Sequence, residues 1–235
     1  MVTYMSVSPA RFSAADRKRQ ILDVAMRLFA HQGFQGTTTR EIAAAAQVNE
    51  AIIFRHFPTK DDLYWAVIEH KIESGNGHER LRDRLRHAGD DPEVFATIAE
   101  QILERQAKDT TMSRLLLFSG LENHRLSQRF FRTYVVEYYE ILAEHIRQRI
   151  RHGEFRDVDP LLAARGFLGM VVYHSWVQEL FGGKRFQQFD NQQVSKTLAD
   201  IWLAGMLQRG TGPKRGRSPQ NGMNRKQSNG ADVRE

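Results

Sequence analysis

Apolar residues recur along most of this chain at intervals of three and four, the spacing that gathers one stripe on an α-helix. From Ala14 to Ala30, the residues Ile21, Leu22, Ala25, Leu28 and Phe29 fall on such a stripe, and Gly33 ends it. Thr38 opens a short helix running through Ile42 to Ala46, because Thr38 and Glu41 have the spacing of a capping box. In that motif the hydroxyl accepts from a first-turn N–H and the carboxylate reaches back to the cap. Asn49 is an N-cap for a helix to about Phe57. Pro58 and Thr59 stop it, and Thr59 with Asp62 starts another from Lys60 to about Ser74, ahead of a break at Gly75-Asn76-Gly77. Further helices are expected over 78–87, 92–108, 111–122 and 126–152. Asp159-Pro160 has the acid-then-proline signature of a helix start, for a helix that reaches Phe181 and ends at Gly182-Gly183; a last one covers 191–208. No segment alternates apolar and polar residues between turn signals. The expected fold class is all-α.

Composition narrows the function classes. The 235 residues include no cysteine, which excludes disulfide frameworks, Cys-ligated metal sites and thiol nucleophiles. No apolar run approaches the ~20 residues of a membrane-spanning helix, and Met1 to Phe12 has no apolar core of signal-peptide length. A soluble cytoplasmic protein without a membrane partner is expected. The net charge of +6 is unevenly placed: +1 over residues 1–70, zero over 71–208 and +5 over 209–235. The bulk charge is therefore weak evidence about the folded part. From Gly210 the chain is rich in Gly, Ser, Asn, Pro, Lys and Arg, a composition with too little to bury, expected to be disordered. Within it, Pro213-Lys214-Arg215-Gly216-Arg217-Ser218-Pro219 looks like an AT-hook whose two arginines would enter a narrow minor groove; the competing reading is a solvated basic tail.

The strongest signal lies between Thr38 and Lys60. Two short helices are joined by only Gln47-Val48-Asn49, and Ile42, Ala43, Ala46, Val48, Ile53 and Phe57 can close a common core. This is the spacing of a helix-turn-helix, which offers its second helix to the DNA major groove. These residues resemble the tetracycline-repressor (TetR) family. The run Ile21-Leu22-Asp23-Val24-Ala25-Met26-Arg27-Leu28-Phe29-Ala30, then Gly33-Phe34, Thr37 to Ala43 and Val48 to Leu63 follow its order and spacing without insertion. Two positions differ: Gln47 stands where the family usually has glycine, in a turn expected to want positive φ, and Phe54 stands where it often has tyrosine.

The resemblance implies a three-helix DNA-binding head followed by a helical ligand-binding and dimerisation domain. The expected divisions are a flexible 1–12, a head over 13–58, a body over 59–208 and a disordered basic tail over 209–235. It implies a homodimeric repressor that binds double-stranded DNA at a palindromic operator and is released by a small molecule. Arg40 can reach a phosphate or a guanine edge, and Asn49 suits a phosphate. Base reading falls to Glu50, Ala51 and Ile52: Glu50 can accept from a cytosine amino group, and the apolar pair can touch a thymine methyl. Glu50 has a second reading, as a first-turn acid favoured by the helix dipole. The resemblance places Phe54, Arg55, His56 and Lys60 near the DNA backbone, and Arg17, Lys18 and Arg19 are either flanking contacts or a solvated run. The competing function is an architectural, nucleoid-associated DNA-binding protein with no inducer.

In the body, Ala163, Gly166 and Gly169, with Leu198, Ile201, Trp202 and Gly205 of the last helix, suit a close dimer interface or an internal core. An apolar ligand pocket can be drawn from Phe95, Ile98, Ile102, Met112, Leu116, Phe130, Tyr134, Tyr138, Met170, Tyr173, His174 and Trp176, although each of these taken singly reads more readily as plain core. Its contents would be a hydrophobic or planar molecule. The nine histidines include no i, i+4 pair, so no metal site is expected. Gly182-Gly183-Lys184 is followed by Arg185 rather than by the Ser/Thr of a phosphate-binding loop. Neither a catalytic constellation nor a cofactor is expected.

Overall fold

The computed structural model describes residues 13–87, 89–122 and 125–208. The expected flexible N-terminus and the basic tail with its AT-hook-like stretch lie outside them. The helices are α1 (Ala14–Gln32), α2 (Thr39–Ala45), α3 (Glu50–His56), α4 (Lys60–Glu73), α5 (Gly77–Arg86), α6 (Asp91–Lys108), α7 (Thr111–Leu121), α8 (Arg125–Phe130), α9 (Val136–Arg151), α10 (Pro160–Glu179) and α11 (Asn191–Met206). A π-helical turn, Phe131–Val135, joins α8 to α9, and a 3-10 turn, Gly183–Arg185, precedes α11. Among the described residues there is no strand, only an isolated antiparallel bridge between Phe155 and Leu207.

Local chemistry explains most boundaries. Ser13, Thr38, Asn49, Thr59, Asp90, Asp159 and Asp190 each accept from a first-turn N–H of the helix that follows, satisfying donors that a helix start leaves orphaned. The boxes Thr38/Glu41 and Thr59/Asp62 both close in the reciprocal way.

Two cores form. The first packs Ile21, Leu22, Ala25 and Phe29 of α1 against Ile42, Ala43, Ile53 and Phe57, but also takes in Leu63, Tyr64, Val67 and Ile68 of α4, Leu115 of α7 and Phe130 of α8. The head's packing thus continues through α4 into the body. The second core joins α6, α9, α10 and α11 around Phe95, Leu142, Ile146, Phe167, Val171 and Trp202. At its centre Phe95 stands edge-on to Phe167, with ring centroids 5.0 Å apart, and lies 4.4 Å from Trp202.

Three of the sequence expectations for the body are corrected here. Trp202, expected at the dimer interface, belongs instead to the chain's own core: it is buried, and its indole N–H donates to the Ala163 carbonyl at 3.1 Å. Tyr173 is no pocket residue, being 65% exposed on the outer side of α10. Phe95 is sealed in ring contacts rather than lining an opening. The reason is common to all three. Helix α10 is apolar nearly all round, so its periodicity does not say which side meets α6 and α11 and which stays outside.

Candidate nucleic-acid interface

The turn between α2 and α3 is only Ala46 to Asn49, and the backbone closes it tightly. Gln47 N–H donates to the Ala44 carbonyl at 3.1 Å and Val48 N–H to the Ala43 carbonyl at 3.0 Å. Gln47 sits at φ +53, the left-handed conformation the sequence called for, at a cost of about 1 kcal/mol for a residue with a Cβ. Gln20 of α1 clamps the turn from behind, its amide donating to the Ala46 carbonyl at 3.1 Å. Ala43 is buried at the crossing.

This packing turns one side of α3 outward. Ile53 and Phe57 point into the core, whereas Ala51, Phe54 and Arg55 are exposed, with Ile52 and His56 half-buried beside them. Arg40, at the start of α2, is exposed on the approach to the same face. Phe54 is 44% exposed, a large apolar ring displayed to solvent on a polar surface. Asn49 spends its carbonyl oxygen on the Ala51 N–H at 2.9 Å, which leaves its amide NH2 as the group that can meet a phosphate. Glu50 accepts from the Thr39 hydroxyl. Of the basic run on α1, Arg19 pairs with Asp16 at 3.3 Å, Arg17 donates to Gln20 at 3.2 Å, and Lys18 lies over the Phe57 ring.

Lys60 is placed differently from the other basic residues assigned here. Its ammonium lies 4.3 Å over the Phe34 ring, and burial lowers its pKa against the opposing pull of Glu122, Asp61 and Glu41. It belongs to the joint between head and body. There, Glu122 at the end of α7 accepts from the backbone N–H of Phe34 at 3.0 Å and of Gln35 at 3.2 Å. Arg114 of α7 donates to the Ala30 carbonyl at 2.6 Å, and Tyr64 of α4 donates to the Leu115 carbonyl at 3.1 Å. Burial pushes the Tyr64 phenol up to about 12, so it stays a neutral donor. Glu122 is the residue that sequence reasoning missed: nothing periodic links position 122 to a turn at 34.

The drawn ligand pocket does not close as one site. Met112, Leu116, Phe130 and Tyr134 pack with the first core, and Ile98, Ile102, Tyr138 and Met170 with the second. Trp176 donates to Ser113 at 3.1 Å, and His174 meets Phe189 edge-on; burial lowers the His174 pKa. The body carries a shallow open recess of about 510 Å³ between α7 and the α8–π-turn segment, and a second of about 570 Å³ beside Arg156, Gly205 and Gln208 at the end of α11. Leu116, Gly120, Ser127, Gln128, Phe131, Arg132 and Val136 line the first of these, and of them only Leu116 is among the pocket residues expected from the sequence. Among the described residues no group of carboxylates and histidines is arranged to hold a metal ion, and no helix is long and apolar enough to cross a membrane.

The outward sides of α10 and α11 carry Leu162, Gly166, Gly169 and Tyr173, and Ile201 and Gly205. A Cβ added at Gly166, Gly169 or Gly205 would meet nothing within 4 Å. Leu198 and Ala163 are half-buried at the edge of this surface.

A tri-helical head with an outward second helix, set on a helical body, defines a helix-turn-helix protein with an appended domain. The profile described as "Bacterial regulatory proteins, tetR family" matches residues 21–67, and "AefR-like transcriptional repressor, C-terminal domain" matches 93–205. The transcriptional regulator AcrR of Shigella flexneri is 38% identical over 199 residues, covering 81% of this chain and 89% of AcrR. The repressor Rv3405c of Mycobacterium tuberculosis is 38% identical over 110 residues, 47% of this chain. The chain spans about half the length of that relative (51%). Among solved structures, Bacillus subtilis FadR in complex with stearoyl-CoA superposes with a TM-score of 0.64 at 20% identity, covering 80% of this chain and 98% of FadR. The chain belongs to the TetR family.

Proposed function

We propose that this chain is a homodimeric transcriptional repressor that reads a palindromic operator with α3 and is released by a small molecule held in its body. The head over 13–58 is the reading domain and the body over 59–208 the sensing and pairing domain, acting in the cytoplasm at the chromosome. The observation that carries the reading is α3 itself: a capped helix whose outer side presents Ala51, Phe54 and Arg55 while Ile53 anchors it below. Arg40, Arg55 and the Asn49 amide supply backbone contacts that fix register, and Glu50, Ala51 and Ile52 meet base edges.

The test is fluorescence anisotropy of the full chain on the DNA adjoining its own gene. Tight, salt-dependent binding to a palindrome is expected, and failure to bind any palindrome there at low salt would refute local autoregulation. Arg55→Ala is expected to weaken every site alike and to flatten the log–log salt slope by roughly one unit; a change confined to base preference would reject the phosphate role.

Pairing is assigned to the outward sides of α10 and α11, where small residues allow another helix close. Gly169→Arg fills open space in the single chain, so its fold is expected to persist while sedimentation shifts from dimer to monomer. A dimeric Gly169→Arg chain would move the interface elsewhere.

For release, we assign the recess between α7 and the π turn. Its lining combines Leu116, Phe131 and Val136 with Arg132, Gln128 and Ser127, which suits an amphiphile with an apolar body and a polar or anionic head. Helix α7 walls this recess, and its Glu122 and Arg114 hold the end of α1. A ligand that moves α7 therefore biases the head, and coupling of about 1–3 kcal/mol is enough for a switch.

A further inference from the structure

Thr39 and Glu50 occupy matching places, each the first residue of its helix, eleven positions apart, and the turn between α2 and α3 brings them together. The Thr39 hydroxyl donates to one Glu50 carboxylate oxygen. Thr39 is not the cap of α2, since Thr38 fills that role, so the bond is additional to what the helix needs. Both residues are half-buried, with exposed Arg40 beside one and exposed Ala51 beside the other. They therefore sit at the rim of the surface assigned to DNA.

The bond fixes the hydrogen-bonding character of the pair. With its only proton committed to the carboxylate, Thr39 can offer lone pairs and nothing else, and ionised Glu50 is acceptor-only in any case. An acceptor-only surface in the major groove pairs with an exposed amino group. Cytosine presents N4 amino hydrogens there, whereas guanine presents O6 and N7 and thymine O4, all acceptors; adenine sets N7 beside its amino group. The negative charge sharpens the choice, because a carboxylate among phosphates is repelled unless a donor meets it. That is discrimination by rejection of the wrong base.

We propose that Thr39 and Glu50 act as one base-reading unit, with Thr39 the positioning residue that holds the Glu50 carboxylate on a cytosine amino group in each half-site. The inference rests on the DNA-reading function proposed above and adds the residue that sets its specificity. Without the Thr39 donor, Glu50 regains rotamer freedom and can swing to solvent, away from the base.

The experiment selects from a randomised duplex pool with the full chain, then measures anisotropy on the enriched site carrying each base pair at every half-site position. Wild type is expected to require cytosine at one position, against the other bases by roughly tenfold or more. Glu50→Ala is expected to bind arbitrary duplex more tightly, having lost a negative charge, yet to lose discrimination at that one position only. Thr39→Val should lose most of the same preference while its thermal melt matches wild type, and Thr39→Ser should regain it. An enriched motif identical for wild type and Thr39→Val overturns the unit and leaves the DNA reading intact. Equal effects of Glu50→Ala at all positions overturn it too. A wild-type chain that enriches no motif overturns the DNA reading itself and this unit with it.

Discussion

Gly33→Ala is expected to destabilise the protein by about 3 kcal/mol and to detach the head from α7. Gly33 closes α1 at φ 78 and ψ 177, a combination open essentially to glycine alone, for which any other residue bears roughly 1–3 kcal/mol. The new methyl also has nowhere to go: its Cβ would stand 2.2 Å from Glu122 Oε1 and 3.0 Å from Phe118 Cδ1. Relief requires the Glu122 carboxylate to leave the Phe34 and Gln35 N–H groups, so the substitution acts on the joint as well as on the backbone. At roughly 2–4 °C per kcal/mol for a protein of this size, the melting temperature should fall by about 6–12 °C. Circular dichroism melts check this. Combining Gly33→Ala with Glu122→Ala removes the collision with the carboxylate, the closer of the two contacts, so the pair should cost clearly less than the sum of the single changes. A melt of Gly33→Ala within a degree of wild type would mean that the joint is loose.

Phe95→Ala tests the interior of the body. The ring is fully buried among Phe155, Phe167 and Trp202, and deleting a buried phenyl group costs about 3–5 kcal/mol through lost burial and the cavity left behind. The expected fall in melting temperature is about 10 °C. Were Phe95 instead a wall of the inducer site, stability would change little and the response of DNA binding to ligand would disappear. Thermal melts with and without candidate amphiphiles separate the two outcomes.

The head was legible in the chain because its determinants are local. Thr38 with Glu41, Asn49, and Thr59 with Asp62 mark helix starts within three residues of themselves, and all form the bonds their spacing implies. Gln47 takes the positive φ expected at its turn. Long-range packing was less legible. Trp202 and Ile201 are neighbours within the apolar stripe of an otherwise mixed helix, and only the arrival of α6 and α10 decides that one is buried and the other 60% exposed. Glu122 gives no periodic signal of its contact with the 33–36 turn. The recess beside α7 depends on a π turn that no residue pattern announces, which is why six of its seven lining residues carry no signal in the sequence.

That π turn has a consequence for the helix it interrupts. Arg125 to Arg151 is continuous, yet Phe130 before the turn serves the first core while Leu142, Ala143 and Ile146 beyond it serve the second. The Val136 N–H reaches back five residues to the Phe131 carbonyl, one more than an α-helix allows. The surplus residue rotates everything downstream by about 100°, so the long helix works as a crankshaft between two cylinders. Deleting one residue from 131–135 would close the bulge into plain α-helix with the far half still on its side, whereas straightening the turn with every residue kept would turn that half by about 100°.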